Sequence, residues 1–138
     1  MFRCVVTDYV EPDLDWEHEV CANAGIDYRP YSLREAGERE LLDAAKEAEV
    51  LVVDQAKITR AVLAGLTRCR LIIRHGDGYD NVDTEAATEF GIAVANKPGF
   101  WSLEVAELAL SLSLALMRRL PNQQRVARNS AGGRWNLS

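Results

Sequence analysis

Val50-Leu51-Val52-Val53-Asp54 is the stretch of sequence that decides the fold. Four aliphatic residues in a row, with no polar alternation, are typical of a strand that is buried on both faces of a parallel sheet. The carboxylate that follows at once marks the end of the strand, and ligands of such sheets bind beyond the carboxyl ends of their strands. The stretch therefore predicts an α/β fold in which the residues directly after each strand are the candidates for binding a ligand.

Four similar runs flank this strand, and helical patterns separate them. The predicted strands are Cys4–Thr7, Ile26–Tyr31, Val50–Val53, Leu71–Ile73 and Ile92–Ala95. The first predicted helix is Asp13–Ala24, with Asp13 as its N-cap and Gly25 as its stop. The second runs from a Ser32-x-x-Glu35 capping box through Ala45. The third is capped by Thr59 and ends at Gly65, and the fourth is capped by Asp83 and closed by Gly91. This alternation predicts a doubly wound, parallel, five-stranded sheet with helices on both faces.

A long apolar helix follows the fifth strand. The pattern predicts that it begins at Ser102 as N-cap and ends at about Leu120, with Pro121 just past its end. Between its charged ends the helix is apolar around most of its circumference, so it needs burial on more than one side. We therefore expect a second domain or subunit to pack on it, and we expect the polar tail Pro121–Ser138 to be loosely ordered.

Composition and charge exclude several classes of partner. The 138 residues are 48% hydrophobic and 27% charged, as in a globular domain, and carry a net charge of −5. Dispersed acidic residues argue against nucleic acid or an anionic membrane as a partner, since both need a basic face. The N-terminus has no long apolar segment, and the longest uncharged apolar stretch, Leu108–Met117, is too short to cross a bilayer. A cytoplasmic location follows as the expectation.

The cysteines do not form a metal site or a redox pair by their spacing. Cys4, Cys21 and Cys69 are odd in number and far apart in sequence, and no C-x-x-C pair is present. We expect three buried or half-buried free thiols in a reducing compartment, and no metal site.

Two glycine-containing segments follow the fourth and fifth strands. In the turn Gly76-x-Gly78, glycine lets backbone N–H groups approach a ligand and cradle an anion, although a tight turn without a ligand has the same sequence. It is not a dinucleotide fingerprint, because Asn81 occupies the third glycine position and no complete G-x-G-x-x-G is present in the sequence. The link Asn96–Gly99, taken alone, is compatible with a simple strand exit.

Taken together, these segments match one family pattern. Arg74–Asp83 reads R-H-G-D-G-Y-D-N-V-D, and Ala86–Gly99 contains A-A followed by G-I-x-V-x-N-x-P-G. Val105-Ala106-Glu107 lies near the start of the long helix, Arg118-Arg119 near its end, and Arg128…Gly133-Arg134-Trp135 follows. In order and spacing they resemble the N-terminal substrate-binding (catalytic) domain of the D-isomer-specific 2-hydroxyacid dehydrogenases, phosphoglycerate dehydrogenase-like. Residues 1–70 add only a compatible α/β pattern.

The resemblance implies a division into two parts. Residues 1–99 would be a flavodoxin-like substrate-binding domain, with Asn96–Gly99 as the hinge into an inserted nucleotide-binding domain. Residues 100–138 would be a helix and tail that lead to that domain, which this sequence does not contain. The parent would be a homodimeric oxidoreductase that transfers a hydride between NAD or NADP and a small 2-hydroxy or 2-keto acid. The family's catalytic arginine, glutamate and histidine lie further downstream, so this chain would hold no catalytic residue and would be inactive alone.

The resemblance also assigns site residues. Backbone N–H groups of Asp77 and Gly78, in the turn that begins at Gly76, would bind the substrate carboxylate. Arg74 and Asp77 would lie near the nicotinamide end of the cofactor, and Val105 would contact the cofactor across the cleft. Residue 77 is often small or apolar in this family, and a carboxylate there would repel an anionic substrate. Neither histidine occupies the family's catalytic position: His18 is expected at the surface, and His75 in the turn could line the cleft.

Two other classes of protein remain as alternatives. A phosphoacceptor receiver domain has the same layout, and Asp8, a phosphorylatable Asp54 and Lys97-Pro98 fit its pattern. However, its first strand should end in an acidic pair, its fourth strand should not end in Arg74, and it would not explain the Asp80–Asp83 motif. The second alternative is a co-repressor-like module of the same fold that binds peptides, although nothing in the sequence indicates a peptide groove.

Overall fold

The computed structural model describes residues Phe2–Asn129 of the chain. The strands are β1 (Phe2–Val6), β2 (Ile26–Pro30), β3 (Val50–Val53), β4 (Leu71–Arg74) and β5 (Ala93–Ala95). The helices are α1 (Asp15–Asn23), α2 (Glu38–Ala45), α3 (Arg60–Gly65), α4 (Thr84–Glu89), α5 (Ser102–Met117) and α6 (Leu120–Asn129). The strands form one sheet in the order β2-β1-β3-β4-β5, and every pairing is parallel. The predicted doubly wound parallel sheet is confirmed.

Contacts divide the chain into two compact units, with the boundary between Pro98 and Gly99. The sheet and helices α1 to α4 belong to the first unit, and helices α5 and α6 belong to the second.

One face of the sheet carries the core of the first unit. Val5, Leu51 and Ile72 are neighbours in adjacent strands and have no exposed surface. They pack into one cluster with the buried side chains of α2, α3 and α4, which are Leu41, Ala45, Val62, Leu63, Ala86 and Ala87. Because successive residues of a strand point to opposite faces, Ile73 lies on the other face, where 37% of its surface is exposed.

The predicted caps of α3 and α4 are confirmed. The Thr59 side chain accepts a hydrogen bond from the Val62 N–H, and the Asp83 carboxylate accepts one from the Ala86 N–H. Each cap satisfies an N–H group that the helix itself leaves without a partner. Gly91, with a φ of 70°, closes α4 as predicted.

The predicted start of α2 at the Ser32–Glu35 capping box is wrong. The helix begins at Glu38, after Gly37, which has an extended backbone, and Arg34 and Glu35 form a turn instead of the first turn of a helix. The Tyr31 and Leu33 N–H groups donate to the Val6 and Thr7 carbonyls, at 2.8 Å each. These bonds hold the segment beside the end of β1, so tertiary hydrogen bonding outweighs the local capping pattern.

The first helix is also shorter than predicted. It begins at Asp15 with Leu14 in the cap position, and no side chain caps it. The Asp13 carboxylate accepts a hydrogen bond from the Asp15 N–H at 3.4 Å, which is a local turn and not an N-cap. The stop at Gly25 is confirmed, since this residue has a φ of 70°.

The second unit differs from its prediction at both ends of the long helix. Trp101, not Ser102, occupies the cap position of α5, and no side chain caps the helix. The helix ends at Met117, and α6 begins at Leu120. Arg118 and Arg119 separate the two helices, and Arg119 has a positive φ of 52°. The expected loose tail is therefore wrong for residues 121–129, because a proline is tolerated in the first turn of a helix. Gly133, Arg134 and Trp135 of the predicted motif lie outside the described residues.

The apolar circumference of α5 is confirmed. None of its residues is buried, and six of its leucines are between 50% and 72% exposed: Leu103, Leu108, Leu110, Leu112, Leu114 and Leu116. No helix among the described residues is long and apolar enough to span a membrane.

The three cysteines are free thiols. Cys4 and Cys69 are buried and Cys21 is half-buried, as expected. Burial raises the pKa of the Cys4 thiol to about 11, with a smaller contribution from Cys21. Burial also raises the pKa of the Cys69 thiol. Both therefore stay protonated and unreactive at neutral pH.

Replacing Ile72 and Ile73 separately tests which face carries the core. We expect Ile72→Ala to lower the free energy of unfolding by about 2–5 kcal/mol, because it leaves a cavity in the core cluster. Ile73→Ala, one residue along on the opposite face, removes a side chain that is 37% exposed and should cost about 1 kcal/mol or less. Urea unfolding of the 138-residue chain measures both, and equal losses would contradict the assignment of faces.

Candidate functional site

The carboxyl ends of the parallel strands bring three segments to one edge of the sheet. Thr7 and Asp8 follow β1, residues 54–58 follow β3, and residues 75–83 follow β4. An isolated bridge between Ile58 and Val82 joins the last two segments. Ligands of open α/β sheets bind at this edge, which makes it the candidate site.

A buried carboxylate organises the segment after β3. The Asp8 side chain is 2% exposed and accepts hydrogen bonds from the N–H groups of Asp54 (3.2 Å), Gln55 (2.7 Å) and Ala56 (3.2 Å to one oxygen, 3.3 Å to the other). The Thr7 hydroxyl donates to the same carboxylate at 2.7 Å. Three successive backbone N–H groups therefore form a concave anion site, and the chain's own aspartate fills it.

Asn81 binds the carbonyl groups of the same segment after β3. The Asn81 side-chain amide donates to the Ala56 carbonyl at 2.9 Å and to the Asp54 carbonyl at 3.3 Å. In the backbone, the Ile58 N–H donates to the Asn81 carbonyl at 2.8 Å. Hydrogen bonds therefore hold the segment after β3 on two sides: Asp8, after β1, accepts from its N–H groups, and Asn81, after β4, donates to its carbonyls.

Arg34 is a member of this edge that the sequence patterns did not single out. Its guanidinium lies 2.9 Å from an Asp54 carboxylate oxygen and 3.8 Å from an Asp8 oxygen. A cavity of about 450 Å³ is lined there by Arg34, Glu35, Ala36, Gln55 and Lys57. The sequence signal was indirect, since two aspartates that follow buried strands favour a nearby cation.

The glycine turn after β4 has a backbone that only glycine adopts easily. Gly76 has a φ of 152°, and a Cβ atom there would lie 1.7 Å from the Arg74 Nη1 atom. The Arg74 side chain therefore folds over Gly76, and its Nη1 donates to the His75 carbonyl at 3.1 Å. The Arg74 Nε atom is buried and has no hydrogen-bond partner among the described residues.

The end of β5 holds the turn from the other side. The Lys97 N–H donates to the Gly76 carbonyl at 2.9 Å, and the Asn96 side-chain amide donates to the Asp77 carbonyl at 2.7 Å. Asn96, which the sequence suggested only as part of a link, is therefore a structural partner of the turn. Gly78 is exposed, and its N–H donates no hydrogen bond within the described part of the chain.

The two histidines occupy different surroundings. The His75 Nδ1 atom lies 3.6 Å from a Glu11 carboxylate oxygen, and 47% of the His75 side chain is exposed. His18 lies on α1 at the surface, as expected, with its ring edge-on to Tyr28 at 5.9 Å between centroids.

The structure thus brings most of the predicted site residues together. Arg74 is the last residue of β4, and Gly76, Asp77 and Gly78 lie in the turn that follows it. Val105 lies in α5, in the second unit, where 63% of its surface is exposed. Among the described residues, no group of three or more histidine, cysteine, aspartate or glutamate side chains is placed to hold a metal ion.

Comparison with known proteins identifies the family. The family described as "D-isomer specific 2-hydroxyacid dehydrogenase, catalytic domain" matches residues 5–132. The chain belongs to this family. The match extends through the sheet, the glycine turn and both helices of the second unit, so the family motifs that began at Arg74 are part of a longer similarity.

Curated relatives carry more specific names. The D-3-phosphoglycerate dehydrogenase of Sus scrofa is 36% identical over 134 residues, which are 96% of this chain and 24% of that protein. The D-3-phosphoglycerate dehydrogenase of Methanocaldococcus jannaschii is 48% identical over 83 residues, 59% of this chain and 16% of that protein. The chain therefore spans about a quarter or less of these two relatives.

Solved structures share the fold of this chain. The TT0316 protein of Thermus thermophilus superposes with a TM-score of 0.80 at 27% identity, over 99% of this chain and 43% of that chain. An NAD+-bound 3-phosphoglycerate dehydrogenase of Entamoeba histolytica gives a TM-score of 0.71 at 24% identity, over 96% of this chain and 42% of that chain.

Family membership excludes the receiver-type alternative, in which Asp54 would be a phosphoacceptor. In this family member Asp54 pairs with Arg34.

Two glycines with positive φ provide a matched test of the turn. We expect Gly76→Ala to lower the free energy of unfolding by about 2 kcal/mol or more, because a φ of 152° is a backbone conformation that residues with a side chain rarely adopt; the flexible end of Arg74 would also have to move. Gly91→Ala strains the backbone at a φ of 70° but meets no atom within 4 Å, so it should cost only about 1 kcal/mol. Urea unfolding compares the two variants, and equal losses would contradict the larger backbone strain expected at position 76.

Proposed function

We propose that this chain is the substrate-side part of an NAD(P)-dependent oxidoreductase that transfers a hydride between a nicotinamide cofactor and a small 2-hydroxy or 2-keto acid. Within it, residues 1–99 form the substrate-binding domain, Asn96–Gly99 is the hinge, and residues 100–138 lead toward a nucleotide-binding domain. The observation that carries the proposal is the orientation of the glycine turn after β4.

Two hydrogen bonds fix that orientation. The carbonyls of Gly76 and Asp77 both accept hydrogen bonds from the end of β5, and no peptide bond among the described residues is cis. In a trans peptide the N–H of the next residue points opposite to the carbonyl. The Asp77 and Gly78 N–H groups therefore both point away from β5. Two successive N–H groups with one common direction can converge on a single carboxylate, which supports Gly76–Gly78 as the substrate-binding turn.

Two charged side chains in and beside this turn would tune the site. Arg74 carries a buried N–H without a partner among the described residues, and such a group costs free energy until an acceptor reaches it. We infer that Arg74 and Asp77 lie near the nicotinamide end of the cofactor. Asp77 adds a negative charge beside the proposed carboxylate site, which would weaken the binding of an anionic substrate.

The cofactor itself does not fit within this chain. A dinucleotide pyrophosphate needs a glycine fingerprint at a strand-to-helix turn, and the sequence contains no complete G-x-G-x-x-G. NAD or NADP would be held mainly by a nucleotide-binding domain, and Arg74, Asp77 and Val105 would contact only part of it. When bound, the cofactor would accept or donate the hydride. The family's catalytic acid, base and clamp residues are likewise expected outside this chain.

The charge at position 77 can be tested in the full-length enzyme. We expect Asp77→Ala to lower KM for a 2-hydroxy acid by about tenfold or less, because removing a nearby like charge is worth roughly 1 kcal/mol in a solvated site. Glu85→Ala removes the same charge from an exposed position on α4 and should leave KM unchanged. Nicotinamide absorbance across a panel of 2-hydroxy acids gives both values. An unaltered KM for Asp77→Ala across the panel would remove this side chain from the site.

The isolated chain provides a second test. We expect residues 1–138 alone to show no NAD- or NADP-dependent turnover and to associate through the exposed leucines of α5, consistent with a homodimeric parent. Light scattering should give a mass above the 15.4 kDa of one chain. Measurable turnover by this chain would contradict the domain assignment. A monomer at every concentration would contradict association through α5.

Peptide binding without turnover by the full-length protein would favour the co-repressor-like alternative.

A further inference from the structure

We propose that Asp8 is a positioning residue of the substrate site, and that it acts through residues 54–56 and Asn81 on the glycine turn. The inference rests on the proposed function, because it assumes that the turn binds substrate. It assigns a role to a carboxylate that lies outside the family motif segments beginning at Arg74.

Asp8 is placed to position other groups and not to react. Its two oxygens receive the N–H groups of residues 54–56 and the Thr7 hydroxyl, and only 2% of its surface is exposed. A carboxylate surrounded by donors in this way has no free lone pair directed at solvent or at a substrate. Its consequence is geometric: it fixes the direction of three backbone N–H groups directly after β3.

Asn81 transmits this geometry to the turn. Its amide group donates to the carbonyls of Asp54 and Ala56, so both faces of the 54–56 backbone are held by side chains from other segments. Three residues before Asn81 lies Gly78, whose N–H is proposed to bind the substrate. A shift of residues 54–56 would therefore pull on Asn81 and change the direction of the turn's N–H groups.

The other side of the turn cannot follow such a shift. The Gly76 and Asp77 carbonyls are bonded to the end of β5 at 2.9 Å and 2.7 Å. The turn is thus held between β5 and the Asp8 hydrogen bonds, and releasing one side should rotate it. The expected result is weaker substrate binding, with a smaller effect on the cofactor, because the cofactor would be held mainly by the nucleotide-binding domain.

Two variants of the full-length enzyme test the coupling. Asp8→Asn keeps the shape of the side chain but replaces one acceptor oxygen with an amide group that faces N–H donors. Asn81→Ala removes both bonds to the 54–56 carbonyls. We expect each to raise KM for a 2-hydroxy acid by about tenfold or more, since each leaves buried polar groups without partners. KM for NAD or NADP should change less than about twofold. The double variant should lose less than the product of the two single losses, because both act on one set of hydrogen bonds.

Two controls separate positioning from general loss of stability. Asp43→Asn removes a carboxylate that is 66% exposed on α2 and should change neither KM. Ile72→Val destabilises the core away from the edge and should lower the melting temperature without changing the substrate KM. If Asp8→Asn raised the substrate KM and the cofactor KM equally, or matched Ile72→Val, the positioning role would be wrong.

The remaining outcomes are also decisive. An active parent enzyme whose Asp8→Asn and Asn81→Ala variants bind substrate normally would overturn this inference and leave the proposed function intact. A parent enzyme that turns over no 2-hydroxy acid would overturn both. If Asp8→Asn cannot be purified folded, Thr7→Val takes its place, because it removes the 2.7 Å hydrogen bond from the Thr7 hydroxyl to Asp8. Thr7→Val and Asn81→Ala should then raise the substrate KM more than the cofactor KM, and equal changes in the two KM values would overturn the inference.

Discussion

The candidate site depends on one interaction, the buried Asp8 carboxylate with the backbone N–H groups of residues 54–56. A charged side chain that is 2% exposed is stable only if hydrogen bonds replace the water it has lost. Here the replacement comes from a neighbouring strand end, with donors 46 to 48 residues away in sequence. The same bonds that stabilise the carboxylate therefore fix the order and the spacing of β1 and β3 at their carboxyl ends.

The carboxyl ends of β4 and β5 are tied to this interaction by amide side chains. Asn81 joins the segment after β3 to the segment after β4, and Asn96 joins the glycine turn to the end of β5. An asparagine amide can donate two hydrogen bonds to carbonyls, so it satisfies backbone groups that a loop would otherwise leave to water. The candidate site is thus built from loops with many of their backbone groups bonded, which is the preorganisation that a binding site needs.

The sheet was predictable from the sequence, and the tertiary hydrogen bonds were not. Apolar runs such as Val50–Val53 determine a buried strand through local pattern alone, and the caps Thr59 and Asp83 act within three residues of themselves. The Ser32–Glu35 pattern failed because its backbone bonds to β1, and Arg34 was missed because its partners are the distant Asp8 and Asp54. Local sequence signals predict the structure that a segment forms by itself, and they miss the hydrogen bonds and ion pairs that it makes with residues distant in sequence.

Gly76 shows how packing and binding geometry constrain each other in the turn. The Arg74 guanidinium occupies the position that a Cβ of residue 76 would need, so a side chain at 76 and this placement of Arg74 exclude each other. Glycine at 76 in turn permits the positive φ with which its own carbonyl and that of Asp77 reach the end of β5. Trans peptide geometry then directs the N–H groups of Asp77 and Gly78 to the opposite side. Under the proposed function, the carboxylate of Asp77 would lie beside the ligand's negative charge, so substrate preference should depend on this side chain more than on the backbone.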